Sequence, residues 1–363
     1  MFLAKLAFKN LTRHRKRTLI TAAIIASAIF VFLFIDSLLL GLNNAAYDNI
    51  INYSTGDLQI VQEKYWEVRD DLPLKNLLKE NHDIVNKIKE NNNVKGISEK
   101  LVFKARLNNG IDEIPVQGIG IRGEDISETL KLKDSIVEGN FFTNGSKKAV
   151  LGKRLAELMD LSVGKYLTLL VRTKEDTFNT IELEVGGLLE SPNPDINKSN
   201  IYLPLETVQD SLNLNDEISH FLVKINNSSN AGEIANEVEK EIKKIDKGLR
   251  VIPWNELTAV SVMTSKQGAN QAILGIILLL AAIGIINTVI LSALERMEEI
   301  GMMKAMGLKK FEIVFTFVLE STGLGIIGGV IGCLIGITGI FLLNTFGIDF
   351  AALYSIDMGN FGI

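Results

Sequence analysis

The residues of this chain that could do chemistry are few and scattered. Its three histidines, His14, His82 and His220, lie far apart, and no HExxH motif or CxxC pair accompanies them, so no metal site is expected. The single cysteine, Cys333, falls in an apolar stretch and has no partner for an internal disulfide. No GxxxxGK[ST] phosphate loop is present, and "GIGIRG" at 118–123 lacks the spacing of a dinucleotide loop and reads as a strand and a turn. The acidic pairs Asp70/Asp71 and Asp112/Glu113 suit turns or solvated faces, and "GKRLAEL" around Gly152 has no GxSxG elbow. No catalytic residue is assigned, no cofactor is expected in this chain, and no nucleic-acid partner is implied.

What remains is polarity in apolar places. The stretches 18–42 ("TLITAAIIASAIFVFLFIDSLLLGL") and 271–294 ("QAILGIILLLAAIGIINTVILSAL") have the length of a membrane span, and a third apolar stretch covers 313–343. Asp36, Asn287 and Glu320 sit inside them, where such groups are costly without a partner, water or a headgroup region. Residues 313–319 alone separate Glu320 from a charged loop, so hydration near the headgroups is the expectation for Glu320, and Asp36 takes the same reading.

Basic residues near span ends set the orientation. Lys5, Lys9, Arg13, Arg15, Lys16 and Arg17 precede the first span, so residues 1–17 are expected to be cytoplasmic, either as an amphipathic helix under the inner leaflet or only as a topology signal. The apolar core of 18–42 is longer than that of a signal peptide, which favours a retained span over cleavage. Residues 43–270 then lie outside, 271–294 cross back, 295–312 lie inside with Arg296, Lys304, Lys309 and Lys310, 313–343 cross again, and 344–363 form an outer tail. The net charge of −5 averages over both sides of the membrane and selects no partner.

The outer region alternates strand and helix patterns. "GDLQIVQ" (56–62) reads as a strand, 73–90 as a helix, and the segments flanking the "NNG" turn at 108–110 as strands. "HFLVKI" (220–225) and "AGEIANEVEKEIKKI" (231–245) repeat the strand-then-helix unit, which predicts an α+β domain. Residues 122–219 read as an inserted subdomain. In the third apolar stretch, Gly328, Gly332 and Gly336 recur every four residues beside Ser321, Gly325, Gly329 and Cys333, two stripes of small residues suited to close helix packing.

The most informative segment is the loop "ERMEEIGMMKAMGL" (295–308). It has no proline, and Met297, Ile300 and Met303 recur every three residues, which permits a short helix with an apolar side and charged residues toward water or a partner. Gly301 admits a close backbone and Gly307 can end the helix. Composition alone leaves an ordinary connector and an interaction helix equally open.

"ERMEEIGMMKAMGLKKFEI" (295–313) resembles the cytoplasmic signature of FtsX-like ABC-transporter permeases, including the MacB and lipoprotein-releasing LolC/LolE groups, at Glu295, Arg296, Glu299, Ile300, Gly301, Ala305 and Gly307. Lys304 stands where that signature often has arginine, keeping the charge without the rigid fork. "GDLQI" (56–60), "AVLGKRLAELMDLSVGKYLTLL" (149–170), "VIPWNEL" (251–257) and "FVLESTGLGIIGGVIGCLIG" (317–336) are similar to other parts of the family, so the resemblance covers nearly the whole chain.

The resemblance implies a MacB/FtsX-like permease architecture, an α+β extracytoplasmic domain inserted between α-helical transmembrane segments. It implies a non-catalytic subunit that pairs with a second permease subunit, as a homo- or heterodimer, and with a cytoplasmic ABC ATPase dimer that uses ATP and Mg. Residues 295–308 would be the coupling helix, with Glu295, Arg296 and Glu299 making polar contacts, Ile300, Gly301 and Met303 fitting a groove, and Lys304, Ala305 and Gly307 completing it. Lipoprotein release is the implied work, with export of a peptide, lipid-linked molecule or drug, or regulation of an extracytoplasmic enzyme, as alternatives. A lipoprotein or an extracytoplasmic adaptor would be a further partner, besides membrane lipid. The family usually has four spans, so the three seen here carry the expectation of a fourth lost by truncation.

Overall fold

A computed structural model describes residues 15–346. Residues 1–14, with His14 and most of the amphipathic-segment expectation, and residues 347–363 of the tail lie outside the described residues. The chain divides into two compact units, one of residues 45–263 and one combining the chain up to residue 44 with the chain from residue 264.

The unit of residues 45–263 is α+β. Its strands are β1 (Leu58–Gln62), β2 (Leu78–Lys79), β3 (Val94–Asn108), β4 (Glu113–Ile121), β5 (Ile136–Gly139), β6 (Lys148–Gly152), β7 (Tyr166–Arg172), β8 (Phe178–Leu189), β9 (Asn200–Pro204), β10 (Glu217–Ile218), β11 (His220–Ile225) and β12 (Leu249–Pro253). The long strand β3 is shared by two substructures. Its first half continues an antiparallel layer in the order β12-β1-β11-β3. Helices His82–Lys89 and Ala231–Ile242 pack with this layer, the second burying Ile234, Ala235, Val238 and Ile242 at the spacing of one helical stripe.

The second half of β3 closes a ring. β3 pairs β4, β4 pairs β9, β9 pairs β6, β6 pairs β8, β8 pairs β7, and β7 returns to β3 through Ala105↔Val171 to Asn108↔Thr168. Closure leaves these six strands with few unpaired edges. The ring draws on β3 and β4, from before residue 122, as well as on β6 to β9 from within 122–219.

Two glycines of "GIGIRG" are packing residues in β4. A Cβ on Gly118 would come within 2.2 Å of the Phe103 ring, and one on Gly120 within 3.2 Å of Val208. Arg122, just beyond the strand, donates to Glu99 (2.6 Å), Glu206 (2.6 Å) and Glu80 (2.8 Å), binding three separate segments together. The helix expected over 73–90 starts only at His82. Leu78 and Lys79 pair instead with β10, and the Asn81 side chain caps the shortened helix by accepting from the Asp83 amide at 2.8 Å.

A buried polar row lies where β1, β3 and β11 meet. Lys100 donates to the Ser54 carbonyl at 2.8 Å, and its register partner across the strands is His220, whose Nε2 has no hydrogen-bond partner among the described residues. Burial pushes the Lys100 ammonium down to about 8. Burial, with the Lys100 charge beside it, also holds His220 well below the usual imidazole range. Nearby, the fully buried Asp57 accepts from the Ile225 amide at 3.0 Å and lies 3.2 Å from Lys224.

The other unit is helical. The first long helix is Arg15–Ile50, the second Thr258–Leu294 and the third Lys310–Phe346, with a short loop helix, Met297–Ala305, between the last two. Among the described residues, three helices are long and apolar enough to cross a membrane. The third packs on the first through glycines. A Cβ on Gly328 would fall 2.9 Å from the Ala22 carbonyl oxygen, one on Gly332 2.7 Å from that of Ala26, and one on Gly336 2.9 Å from Leu33 Cδ1. Gly329 would make only an ordinary 3.7 Å contact with Ile29, and Gly325 faces open space. One of the two small-residue stripes thus carries the helix contact.

Candidate functional site

The segment 295–313 is built as a helix between two firm ends. Arg296 precedes the first turn, which carries Glu298 and Glu299, while Lys304 lies in the last, the arrangement that complements a helix dipole. Gly307, at φ +92, ends the helix. Its amide donates to the Lys304 carbonyl (3.1 Å) and that of Leu308 donates to Met303 (3.2 Å), the paired bonds of a Schellman motif. The third long helix then starts with Glu312 accepting from the Lys309 amide at 2.8 Å.

Burial splits the loop helix into two faces. Arg296 and Met303 are buried, with Glu299 and Ile300 half-buried beside them. Glu298, Gly301, Met302 and Ala305 are exposed, at the i, i+3, i+4, i+7 spacing of a single stripe. Glu295, Met297, Lys304, Met306 and Gly307 are exposed as well. Of the residues singled out in the sequence, Arg296, Glu299, Ile300 and Met303 turn inward, while Glu295, Gly301, Lys304, Ala305 and Gly307 are reachable from outside. Sequence reasoning missed Glu298 and Met302, which complete the outer stripe. The four-residue spacing of Glu298, Met302 and Met306 was the signal for them.

The inward face is organised by charge. The Arg296 guanidinium, 6% exposed, donates through Nε to Glu299 at 2.6 Å and through Nη1 to both carboxylate oxygens of Glu320, at 2.8 and 2.7 Å. Its Cζ lies 5.3 Å from the centre of the Phe317 ring, within the range of a cation–π contact. Burial alone would lower the Arg296 pKa, but the hydrogen bonds to Glu320 and Glu299 raise it above the usual arginine range. The headgroup hydration expected for Glu320 is therefore corrected. The carboxylate is buried, and it is held there by a counter-charge from the loop. Asp36 and Asn287, by contrast, are exposed within this chain.

Among the described residues no group of three or more His, Cys, Asp or Glu could hold a metal, and His82 is exposed while His220 is buried.

Residues 18–241 match the model of the MacB-like periplasmic core domain, and residues 272–362 match that of the FtsX-like permease C-terminal region. The chain belongs to the MacB/FtsX-like permease family. This permease is 25% identical, over 91% of its length and 82% of the relative's, to an uncharacterized ABC transporter permease of Methanocaldococcus jannaschii. It is 20% identical to a macrolide export ATP-binding/permease protein MacB of Campylobacter jejuni, matching over 98% of its own length but spanning only 56% of that protein's. The crystal structure of the periplasmic region of MacB from Actinobacillus actinomycetemcomitans is similar to 61% of this chain and 96% of that one, at 15% identity and a TM-score of 0.42. The permease is thus a multi-pass membrane protein with a large extracytoplasmic α+β domain.

Proposed function

We propose that this permease couples ATP hydrolysis by a cytoplasmic ABC ATPase dimer to work done by its extracytoplasmic domain, with a second permease subunit completing the assembly. The observation that carries the reading is the two-faced loop helix. Its outer stripe, Glu298, Gly301, Met302 and Ala305, with Glu295 at the margin, offers an ATPase a shallow surface with one close backbone approach. Its inner face holds Arg296 against Glu320, so force applied to the outer stripe reaches the third long helix through a buried charge contact. An ATPase that seats better on one position of this helix than on another shifts the population of the packed helices, which is all that coupling requires. The ATPase would supply the ATP and Mg chemistry.

For the cargo, the similarity to the LolC/LolE signature supports lipoprotein release. The name of the macrolide-exporting relative supports the second reading, export of a peptide, lipid-linked molecule or drug. Reconstituting the permease with its cognate ATPase in proteoliposomes and following ATP-dependent extraction of a labelled lipoprotein, beside efflux of a hydrophobic dye, separates them. Extraction without efflux is the expected result. Efflux alone would replace lipoprotein release with export, and hydrolysis that drives neither would point to a regulator of an extracytoplasmic enzyme.

A further inference from the structure

A cavity of about 960 Å³ opens between the loop helix and the adjoining ends of the second and third long helices. Its walls are apolar, built chiefly from Val289, Ile313, Val314 and Phe317, while Lys304 and Lys310 also line it. Both lysines are exposed, and neither forms an ion pair among the described residues. The other basic residue of the turn, Lys309, does not line the cavity.

We propose that this groove binds one anionic phospholipid of the inner leaflet, its acyl chains along the Val289, Ile313 and Phe317 walls and its phosphate held by Lys304 and Lys310. Four arguments select this occupant. The walls belong to helices that span the membrane, so the groove opens into lipid at the level where the third long helix begins, with Lys310 as its first residue. Lysines at that level face the negative potential of the cytoplasmic leaflet, and basic pockets between transmembrane helices suit anionic headgroups. An apolar peptide would fill the trough but leave two ammonium groups without a counter-charge. The chain's own N-terminal segment carries Lys5, Lys9 and Arg13 and would repel them. The site is independent of the ATPase reading, because it uses the side of the loop helix toward Ile300 and Lys304 and leaves the Glu298, Met302 and Ala305 stripe free.

The test is native mass spectrometry of the full chain released from mixed micelles containing phosphatidylglycerol and phosphatidylcholine with identical acyl chains. One phosphatidylglycerol should be retained in preference to phosphatidylcholine. In the Lys304→Gln/Lys310→Gln variant its retention should fall about tenfold, with phosphatidylcholine unchanged, whereas Lys309→Gln should behave like the wild type. Val314→Trp, which fills the groove while keeping both lysines in the sequence, should expel the bound lipid. Equal retention of the two lipids, or an equal loss in Lys309→Gln, would overturn the proposal. So would displacement of the lipid by excess glycerol phosphate, which would reveal a plain phosphate site. A photo-reactive group at position 314 that captured a second copy of the chain, and no lipid, would overturn it too.

Discussion

Arg296 reaches across 24 residues of sequence to place Nη1 at 2.8 and 2.7 Å from the two carboxylate oxygens of Glu320, with both side chains 6% exposed. The contact ties the loop helix to a helix that crosses the membrane. Removing one partner of such a pair strands a buried charge, at a cost of about 3–5 kcal/mol, whereas replacing both by apolar groups is often near neutral. Arg296 keeps Glu299 when Glu320 is removed, so Glu320→Ala alone should lower the unfolding midpoint of the full chain in detergent, and adding Arg296→Met should recover part of the loss. If the losses of the Arg296→Met and Glu320→Ala single variants simply add in the double variant, the two residues are not energetically coupled.

The glycine contact between the first and third long helices makes a sharper, steric prediction. Gly332→Ala places a methyl group 2.7 Å from the Ala26 carbonyl oxygen, which should cost about 1–3 kcal/mol by overpacking. Gly325→Ala, on the same helix in open space, should be neutral or stabilising by up to about 1 kcal/mol through helix propensity. Thermal unfolding of the two variants in one detergent decides whether the stripe through Gly328, Gly332 and Gly336 is the contact.

The extracytoplasmic domain should respond to pH through its buried basic row. His220 is held well below its usual pKa, so as pH falls below about 6.5 the unfolded chain takes up a proton that the folded chain refuses, and stability drops by up to about 1.4 kcal/mol per pH unit. Lys100, lowered to about 8, loses its proton in the folded state first, so stability rises again as pH climbs from about 8 toward 10.5. The only two tryptophans, Trp66 and Trp254, both lie in residues 45–263, and their fluorescence reports this domain. His220→Phe should flatten the acid limb and Lys100→Met the alkaline limb. A wild-type profile flat from pH 5 to 7 would contradict this assignment.

How much of this was legible in the sequence follows from the range of each interaction. The strand Leu58–Gln62, the loop helix and its Gly307 stop are set by near neighbours and could be read directly. The ring was not legible, because the return of β7 to β3 joins residues 60 to 66 positions apart with no local trace. The shortened helix at His82 was missed because Leu78 prefers a strand partner in β10 that no window of 73–90 contains. At the candidate site, the outer stripe was only half seen, since Met302 has the same composition signal as the buried Met303. The local sequence suggests hydration of Glu320 because its counter-charge, Arg296, lies in the preceding loop. A lone carboxylate in an apolar helix, with an arginine at the start of that loop, was the signal available.

The most direct test of the coupling account is photo-crosslinking along the loop helix in membranes that contain the cognate ATPase. A photo-reactive amino acid is placed in turn at the positions of Glu298, Met302 and Ala305 and at those of Glu299 and Met303. Adducts with the ATPase from 298, 302 and 305, strengthened or weakened by ATP, and none from 299 or 303, are the result this account predicts. Adducts of equal yield from both faces, or none from 302 while the ATPase co-purifies with the permease, would contradict it.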